Sequence, residues 1–296
     1  MSGREILIAA LTGPDEPVIE LHAEPAAEPQ PAIRLVAIDL DGTLLDDFKQ
    51  VSQQTAEALR CLPERGIKMV IASARPPRSV RQFHSMLGLD TLSIHYNGAL
   101  IWDEPNKQVI DHTPMDGALV LEIINGARTI YPELLVSCEV LDRWFTDRFE
   151  QSYTTETGRL FRPDVIAPLE SFCNQPITKL MLLGHPDIIG DLSDALPPLL
   201  SEATCIRCDP ELLQIMDRRA NKANALKKVA DYYSVGLDQV MAIGDAANDV
   251  EMLQAAGVAV AVDNAHPSVK QVAHWIAPSN NDHGVHAALK RYGLCE

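Results

Sequence analysis

The sequence is poor in aromatic residues and in positive charge. Aromatic residues make up 5% of the 296 residues, and 25 basic residues stand against 41 acidic ones, which gives a formal net charge of −16. An acidic surface repels the phosphates of nucleic acids and of anionic membranes, so we expect neither as a partner. A phosphorylated ligand would need a local electropositive site within this acidic background.

Long apolar runs and a regular series of paired cysteines are also missing. No apolar run approaches the roughly 20 residues of a membrane-spanning helix. The six cysteines are too scattered in so long a chain to form a disulfide framework. We therefore expect a cytoplasmic protein. Its 296 residues, of which 46% are apolar, are enough for a large core and favour two domains over one.

The most informative stretch is residues 35–44, in which an apolar run ends in two carboxylates. Residues 36–38 are all apolar, as in a parallel strand that is buried on both faces. Asp39 and Asp41 follow at the carboxyl end of this strand, which is where open α/β sheets bind ligands. Gly42 allows the backbone to turn sharply after the second acid.

Two carboxylates at this spacing would share one face of a straight strand, and they repel each other unless a cation or a proton lies between them. Asp39 and Asp41 therefore predict either a hard metal ion held by oxygen ligands, such as Mg²⁺, or a pair that shares a proton. A strand-end turn with solvated acids is the alternative without chemistry.

The order of predicted elements indicates an α/β fold. Strands near residues 34–38, 67–72 and 92–96 alternate with helices, which predicts a doubly wound parallel, Rossmann-like core. Runs of strands mixed with helices then interrupt this pattern, and the core pattern resumes with a helix near residue 222. The first 31 residues are rich in proline, and a segment of this composition can bury little apolar surface. We divide the chain into a flexible extension (1–32), an N-terminal core segment (33–98), an inserted α+β cap domain (99–209) and a C-terminal core segment (210–296).

Later segments place further candidate groups where core strands end or core helices begin. Ser73 follows the second strand, and its hydroxyl can bind a phosphate oxygen together with helix amides. Lys222 opens the helix after the insert and can neutralise a phosphoryl group. Asp245 ends another apolar strand and precedes Asn248 and Asp249. The alternatives are a helix cap for Ser73, a solvated Lys222 and an N-capping acidic cluster.

Four segments, in this order, resemble the motifs of the haloacid dehalogenase (HAD) superfamily, in which phosphatases predominate. They are Asp39-Leu40-Asp41-Gly42-Thr43, Ala72-Ser73-Ala74-Arg75, Lys222-Ala223-Asn224-Ala225-Leu226 and Gly244-Asp245-Ala246-Ala247-Asn248-Asp249. Residues 96–100 and 279–285 also resemble family segments. The size and place of the insert are similar to those of the Cof-like IIB branch, whose members are mostly phosphatases of sugar phosphates and related metabolites.

The resemblance implies a role for each matching residue. Asp39 would be the nucleophile that becomes a phospho-aspartate, and Asp41 the general acid and base. Ser73 and Lys222 would bind the phosphoryl group.

The resemblance also implies a cofactor and its ligands. Mg²⁺ would be held by Asp39, by the main-chain carbonyl of Asp41 and by Asp245. Asn248 would contact the phosphate region, and Asp249 would support Lys222 or the metal site.

We therefore expect a Mg²⁺-dependent phosphatase that hydrolyses small phosphomonoesters, such as a sugar phosphate or a related metabolite. A phosphohexomutase on the same core is one alternative. The other is a non-catalytic phospholigand-binding protein, for which the alanines at 74, 223 and 246 leave room because the family usually has glycine there. We expect the cap to select the substrate.

Overall fold

The computed structural model describes residues 32–150, 153 and 156–296. Residues 1–31, nearly all of the predicted extension, lie outside this portion of the chain. The strands are β1 (Leu35–Ile38), β2 (Lys68–Ile71), β3 (Leu92–His95), β4 (Leu100–Asp103), β5 (Gln108–His112), β6 (Leu135–Val140), β7 (Arg143–Thr146), β8 (Val165–Ile166), β9 (Lys179–Leu183), β10 (Ala203–Asp209), β11 (Leu212–Asp217), β12 (Val240–Gly244), β13 (Val258–Val262) and β14 (Trp275–Ala277). The helices are α1 (Gln53–Arg60), α2 (Pro77–Leu87), α3 (Gly117–Ile130), α4 (Glu156–Leu160), α5 (Pro186–Ala195), α6 (Lys222–Tyr232), α7 (Val250–Ala255), α8 (Pro267–Val272) and α9 (Gly284–Arg291).

A parallel sheet of five strands, in the order β14-β13-β12-β1-β2, forms the centre of the core. Its middle strands are buried at every position because helices cover both faces, which explains their unbroken apolar sequence. A parallel bridge between Ala72 and Ile94 brings β3 alongside the β2 edge. The predicted α/β fold with a parallel core is confirmed.

A second sheet of six strands, in the order β10-β11-β9-β6-β7-β8, belongs to the inserted cap. Its pairs are antiparallel, except for β7 with β8. Helices α3 and α5 contribute Val120, Ile124, Ile189 and Leu192 to an apolar cluster under this sheet, separate from the cluster of the core. The six-stranded sheet thus packs on an apolar cluster of its own.

Strand pairing affects where the cap begins and ends. The division at residue 209 separates β10 from β11, yet these strands pair with each other over Ala203–Asp217 and β11 also pairs with β9. At the other end, the β4–β5 hairpin pairs with β3, so it extends a core strand. We therefore propose a cap over residues 113–217, flanked by the two core segments.

Two core helices near the C-terminus were not expected from the sequence. Helix α8 has six residues, too few to show a helical apolar period. Helix α9 follows His283, which has a left-handed backbone (φ 60°) and makes no capping hydrogen bond with its side chain. The sequence therefore carries no N-cap signal for this helix. Within the described ranges, no helix combines the length and the apolarity needed to cross a membrane.

His95, the last residue of β3, is buried against the segment that follows β2. Its Nδ1 lies 3.1 Å from the carbonyl oxygen of Arg75, and its Nε2 lies 2.8 Å from the hydroxyl of Ser93. A carbonyl can only accept, so Nδ1 carries the proton and Nε2 accepts from Ser93. Burial lowers the pKa of His95 to about 3.

The depressed pKa of His95 predicts a pH dependence of stability. In the unfolded chain the imidazole takes up a proton near pH 6.5, whereas in the folded chain it stays neutral to about pH 3, so stability falls as pH falls between these values. We expect wild type to lose about 2 kcal/mol more than His95→Gln between pH 7 and pH 5. Urea unfolding at both pH values measures this, and parallel losses in the two proteins would contradict it.

Candidate active site

The first motif turns immediately after β1. The backbone N–H of Asp39 donates to the carbonyl of Ile243 at 2.9 Å, which extends the parallel ladder with β12 by one residue. Gly42 has φ +78°, and a Cβ on it would collide with the carboxylate of Asp245. Only glycine fits there, so this turn brings the first and fourth motifs into contact.

A buried lysine links the third and fourth motifs to the first. The Nζ of Lys222 donates to Oδ1 of Asp39 at 2.5 Å and to Oδ1 of Asp249 at 2.6 Å, and the lysine side chain has no exposed surface. The other oxygen of Asp249 accepts from the N–H groups of Asp245 and Ala246, both at 3.0 Å. Asp249 therefore fixes both the ammonium and the loop that carries Asp245.

Three carboxylates form an acidic cluster around this ammonium. One oxygen from each of Asp39, Asp245 and Asp249 lies within 4.8 Å of the others. Both oxygens of Asp249 are already engaged, and Asp245 accepts from the hydroxyl of Thr43 at 2.7 Å through Oδ1. Asp39 and Asp245 are thus the carboxylates best placed to hold a cation, and oxygen donors of this kind fit Mg²⁺.

The charges of the cluster do not balance. Burial raises the pKa of Asp39 well above its usual range, Asp249 and Asp245 raise it further, and Lys222 opposes them. Burial also raises the pKa of Asp245. For Lys222, the carboxylates of Asp249 and Asp39 outweigh the effect of burial, so its pKa lies above the ordinary value. One ammonium among three carboxylates leaves excess negative charge, which a divalent cation would neutralise.

Asp41 points toward cations at the opposite side of the turn. Arg75 donates to both of its oxygens at 2.5 and 2.6 Å, and the Nζ of Lys49 donates at 2.7 Å. Burial alone would raise the pKa of Asp41, but these two partners lower it overall. Asp41 is therefore ionised in this arrangement.

The two remaining candidates lie close to this loop cluster. Ser73 is buried, and its hydroxyl oxygen accepts from the N–H of Arg75 at 3.1 Å, which leaves its own proton for a ligand. The side-chain Nδ2 of Asn248 donates to Oδ1 of Asn97 at 2.8 Å. Hydrogen bonds thus connect all four motif segments, directly or through one residue.

Comparison with known proteins identifies the family of this chain. The family model of haloacid dehalogenase-like hydrolases matches residues 36–289. The chain is a haloacid dehalogenase-like hydrolase. The resemblance drawn from the four motifs is thereby confirmed, and so is the expectation of a hydrolase that acts on phosphate esters.

Individual relatives agree with this assignment. The hydrolase is 28% identical over 269 residues to 5-amino-6-(5-phospho-D-ribitylamino)uracil phosphatase YitU of Bacillus subtilis, with 87% of this chain and 97% of that protein covered. The structure of BT1666, a phosphatase of the superfamily from Bacteroides thetaiotaomicron, matches with a TM-score of 0.77 and 27% identity over 93% of this chain and 99% of that one. The subclass IIB sugar phosphatase BT4131 shares the fold at 18% identity, with a TM-score of 0.70 over 88% and 99% of the two chains.

Several residues of the hydrolase's active site were not assigned a role from the sequence. Thr43, Lys49 and Arg75 hold the carboxylates of Asp245 and Asp41. Thr43 and Arg75 lie within the segments that resemble family motifs, and this position could have indicated a role for them. Lys49 lies outside any such segment.

The C-terminal region also supports the first motif. The amide of Asn264 donates to the carbonyl of Gly42 at 2.7 Å, and that of Asn280 donates to the carbonyl of Leu45 at 2.9 Å. Asn280 lies in the family-like stretch 279–285, whereas nothing in the sequence marks Asn264. These contacts hold the turn after Asp39 in place.

The alanines that replace the usual glycines of the family fit this hydrolase. Ala246 has φ −106° and ψ 162°, which is ordinary extended backbone, and Ala223 lies in the first turn of α6. Ala74 is not among the described residues with positive φ. None of the three methyl groups requires a strained backbone, so these positions give no reason to exclude catalysis.

Removing the buried ammonium should destabilise the protein. Lys222→Met leaves two desolvated carboxylates without their partner, which typically costs about 3–5 kcal/mol. Lys228→Met is the matched control, since Lys228 lies on the same helix in a solvent-exposed pair with Asp111 and should cost less than about 1 kcal/mol. Urea unfolding of both variants in EDTA measures the difference. Equal losses would contradict the charge balance described here.

Proposed function

We propose that this hydrolase is a Mg²⁺-dependent phosphatase that cleaves small phosphomonoesters through a phospho-aspartate at Asp39. The observation that carries the proposal is the position of Asp39. It is a buried carboxylate at the carboxyl end of β1, an interior strand of the parallel sheet, with one oxygen fixed by the ammonium of Lys222 at 2.5 Å. A nucleophile for phosphorus needs such fixed orientation and nearby positive charge.

The side chains divide the reaction between them. Asp39 attacks phosphorus, while Lys222 and the hydroxyl of Ser73 stabilise the negative charge on the phosphoryl oxygens. Asp41, once it has left Arg75 and Lys49 and taken up a proton from solvent, donates that proton to the departing oxygen and then accepts one from the water that cleaves the phospho-aspartate.

A bound Mg²⁺ would supply further positive charge at the phosphoryl oxygens. The carboxylates of Asp39 and Asp245 would hold it, together with the main-chain carbonyl of Asp41. Asp249 would act behind them, because it fixes Lys222 and the backbone of Asp245.

A cavity of about 210 Å³ between cap and core offers room for the leaving group. Cap residues Ile206 and Met216 form an apolar side, and amide side chains such as Asn97 and Asn248 supply polar groups. A mixed lining of this kind suits a sugar phosphate or a related metabolite, in line with the substrates named for the relatives. Lining residues of the cavity come from both domains, so the cap would select the substrate.

The direct test is phosphate release from a panel of sugar phosphates, nucleotides and flavin or pyridoxal phosphates, with Mg²⁺ and with EDTA. We expect Mg²⁺-dependent release from one chemical group. Asp39→Asn should lower kcat on the order of 10⁴- to 10⁶-fold, because it removes the nucleophile. Asp47→Asn, at an exposed acid of the same loop, is the control and should behave like wild type.

Two outcomes of that assay would contradict the proposal. Appreciable turnover by Asp39→Asn would exclude this residue as the nucleophile. An isomerised sugar phosphate in place of inorganic phosphate would indicate the phosphohexomutase.

The predicted metal site has a separate test. Asp245→Asn keeps an oxygen that accepts from Thr43 but removes a negative charge, so the Mg²⁺ concentration for half-maximal activity should rise by about 10- to 100-fold or more. Asp263→Asn, at an exposed acid paired with Lys270, is the control. Mg²⁺ titration of phosphate release measures the effect, and an unchanged Mg²⁺ requirement in Asp245→Asn would remove this residue from the site.

A further inference from the structure

The turn at Tyr96-Asn97-Gly98, immediately after β3, has an unusual backbone. Its φ angles are 50°, 54° and 101°, so three consecutive residues adopt left-handed conformations. Such backbone conformations are disfavoured for residues other than glycine, and they persist where surrounding contacts enforce them. This turn lies outside the four motifs, and the mechanism above does not use it.

Asn97 contacts two of the catalytic segments at once. Its backbone N–H donates to the carbonyl of Ser73 at 3.1 Å, and its side-chain Oδ1 accepts from Nδ2 of Asn248 at 2.8 Å. The side chain is almost fully buried, with 8% of the residue exposed. Asparagine also tolerates the left-handed conformation better than most residues.

The rest of the turn is enclosed by the third motif and the cap. A Cβ on Gly98 would overlap the carbonyl of Asn221, and the N–H of Lys222 would lie 3.1 Å away. The hydroxyl of Tyr96 donates to the carbonyl of Leu141 in the cap at 2.7 Å. The turn is thus held by the second, third and fourth motifs and by the cap, which accounts for its conformation.

We propose that Asn97 is a positioning residue that orients the amide of Asn248. An amide nitrogen has two N–H groups, and Oδ1 of Asn97 takes one of them. This fixes the nitrogen end of the Asn248 amide and directs its second N–H to a ligand oxygen. The inference rests on the proposed function, in which that ligand is the phosphoryl group.

Asn97→Gly tests the proposal without disturbing the backbone. Glycine adopts the same left-handed conformation readily, so the substitution removes the side-chain acceptor without straining the backbone. The loss of one neutral hydrogen bond should lower kcat/KM about 3- to 10-fold. The experiment is a double-mutant cycle of Asn97→Gly with Asn248→Ala, read both as kcat/KM and as the Kd of orthovanadate in the presence of Mg²⁺.

The coupling between the two residues decides the outcome. If Asn97 acts through Asn248, adding Asn97→Gly to Asn248→Ala should change kcat/KM and the vanadate Kd by less than about twofold. Equal losses in both backgrounds would overturn the proposal, because Asn97 would then act on the ligand or on the fold independently. No loss in Asn97→Gly alone would overturn it as well.

Two further controls separate this inference from the proposed function. Asn106→Gly, at the surface turn between β4 and β5, controls for asparagine loss remote from the site. The vanadate Kd reports the cycle even if wild type releases no phosphate from any ester, an outcome that would count against the phosphatase proposal alone. A wild type that binds no vanadate would overturn both.

Discussion

The buried ammonium group of Lys222 constrains how the active-site loops fold. Lys222 carries its charge in a site with no exposed surface, where an unpaired cation would be prohibitively costly. Asp39 and Asp249 supply its counter-charges, and Asp249 uses its second oxygen to hold the backbone of Asp245. The end of β1, the start of α6 and the loop after β12 are therefore bound to one another through a single charged group.

The same charge distribution favours the binding of a cation from solution. Lys222 neutralises only some of the charge of its three acidic neighbours, and burial makes the remainder costly. The charge of Asp41 is neutralised differently, by Arg75 and Lys49 at the other side of the turn. The carboxylate of Asp39 is thus fixed by the buried ammonium of Lys222, whereas that of Asp41 is held by the long side chains of Arg75 and Lys49. The proposed cap contacts the core through the hydrogen bond from the hydroxyl of Tyr96 to the carbonyl of Leu141.

The features predicted correctly from the sequence are those that local patterns determine. Unbroken apolar runs such as residues 36–38 and 258–262 identified buried parallel strands, and the carboxyl ends of parallel strands meet at one edge. Asp39 and Asp245, though 206 positions apart, were therefore expected together. Ion pairs of long side chains leave no local signal, so the attachment of Asp41 to Lys49 was not foreseen. The pairing of β10 with β11, on which the proposed end of the cap at residue 217 rests, depends on contacts beyond the local pattern.

The stereochemical course at phosphorus distinguishes attack by Asp39 from direct attack by water. A substrate ester made chiral at phosphorus with oxygen isotopes would be hydrolysed in isotopically labelled water, and the configuration of the released phosphate determined. Attack by Asp39 followed by attack of water inverts the configuration twice, so we expect overall retention. Overall inversion would mean that water attacks phosphorus directly, and it would contradict the assignment of Asp39 as the nucleophile.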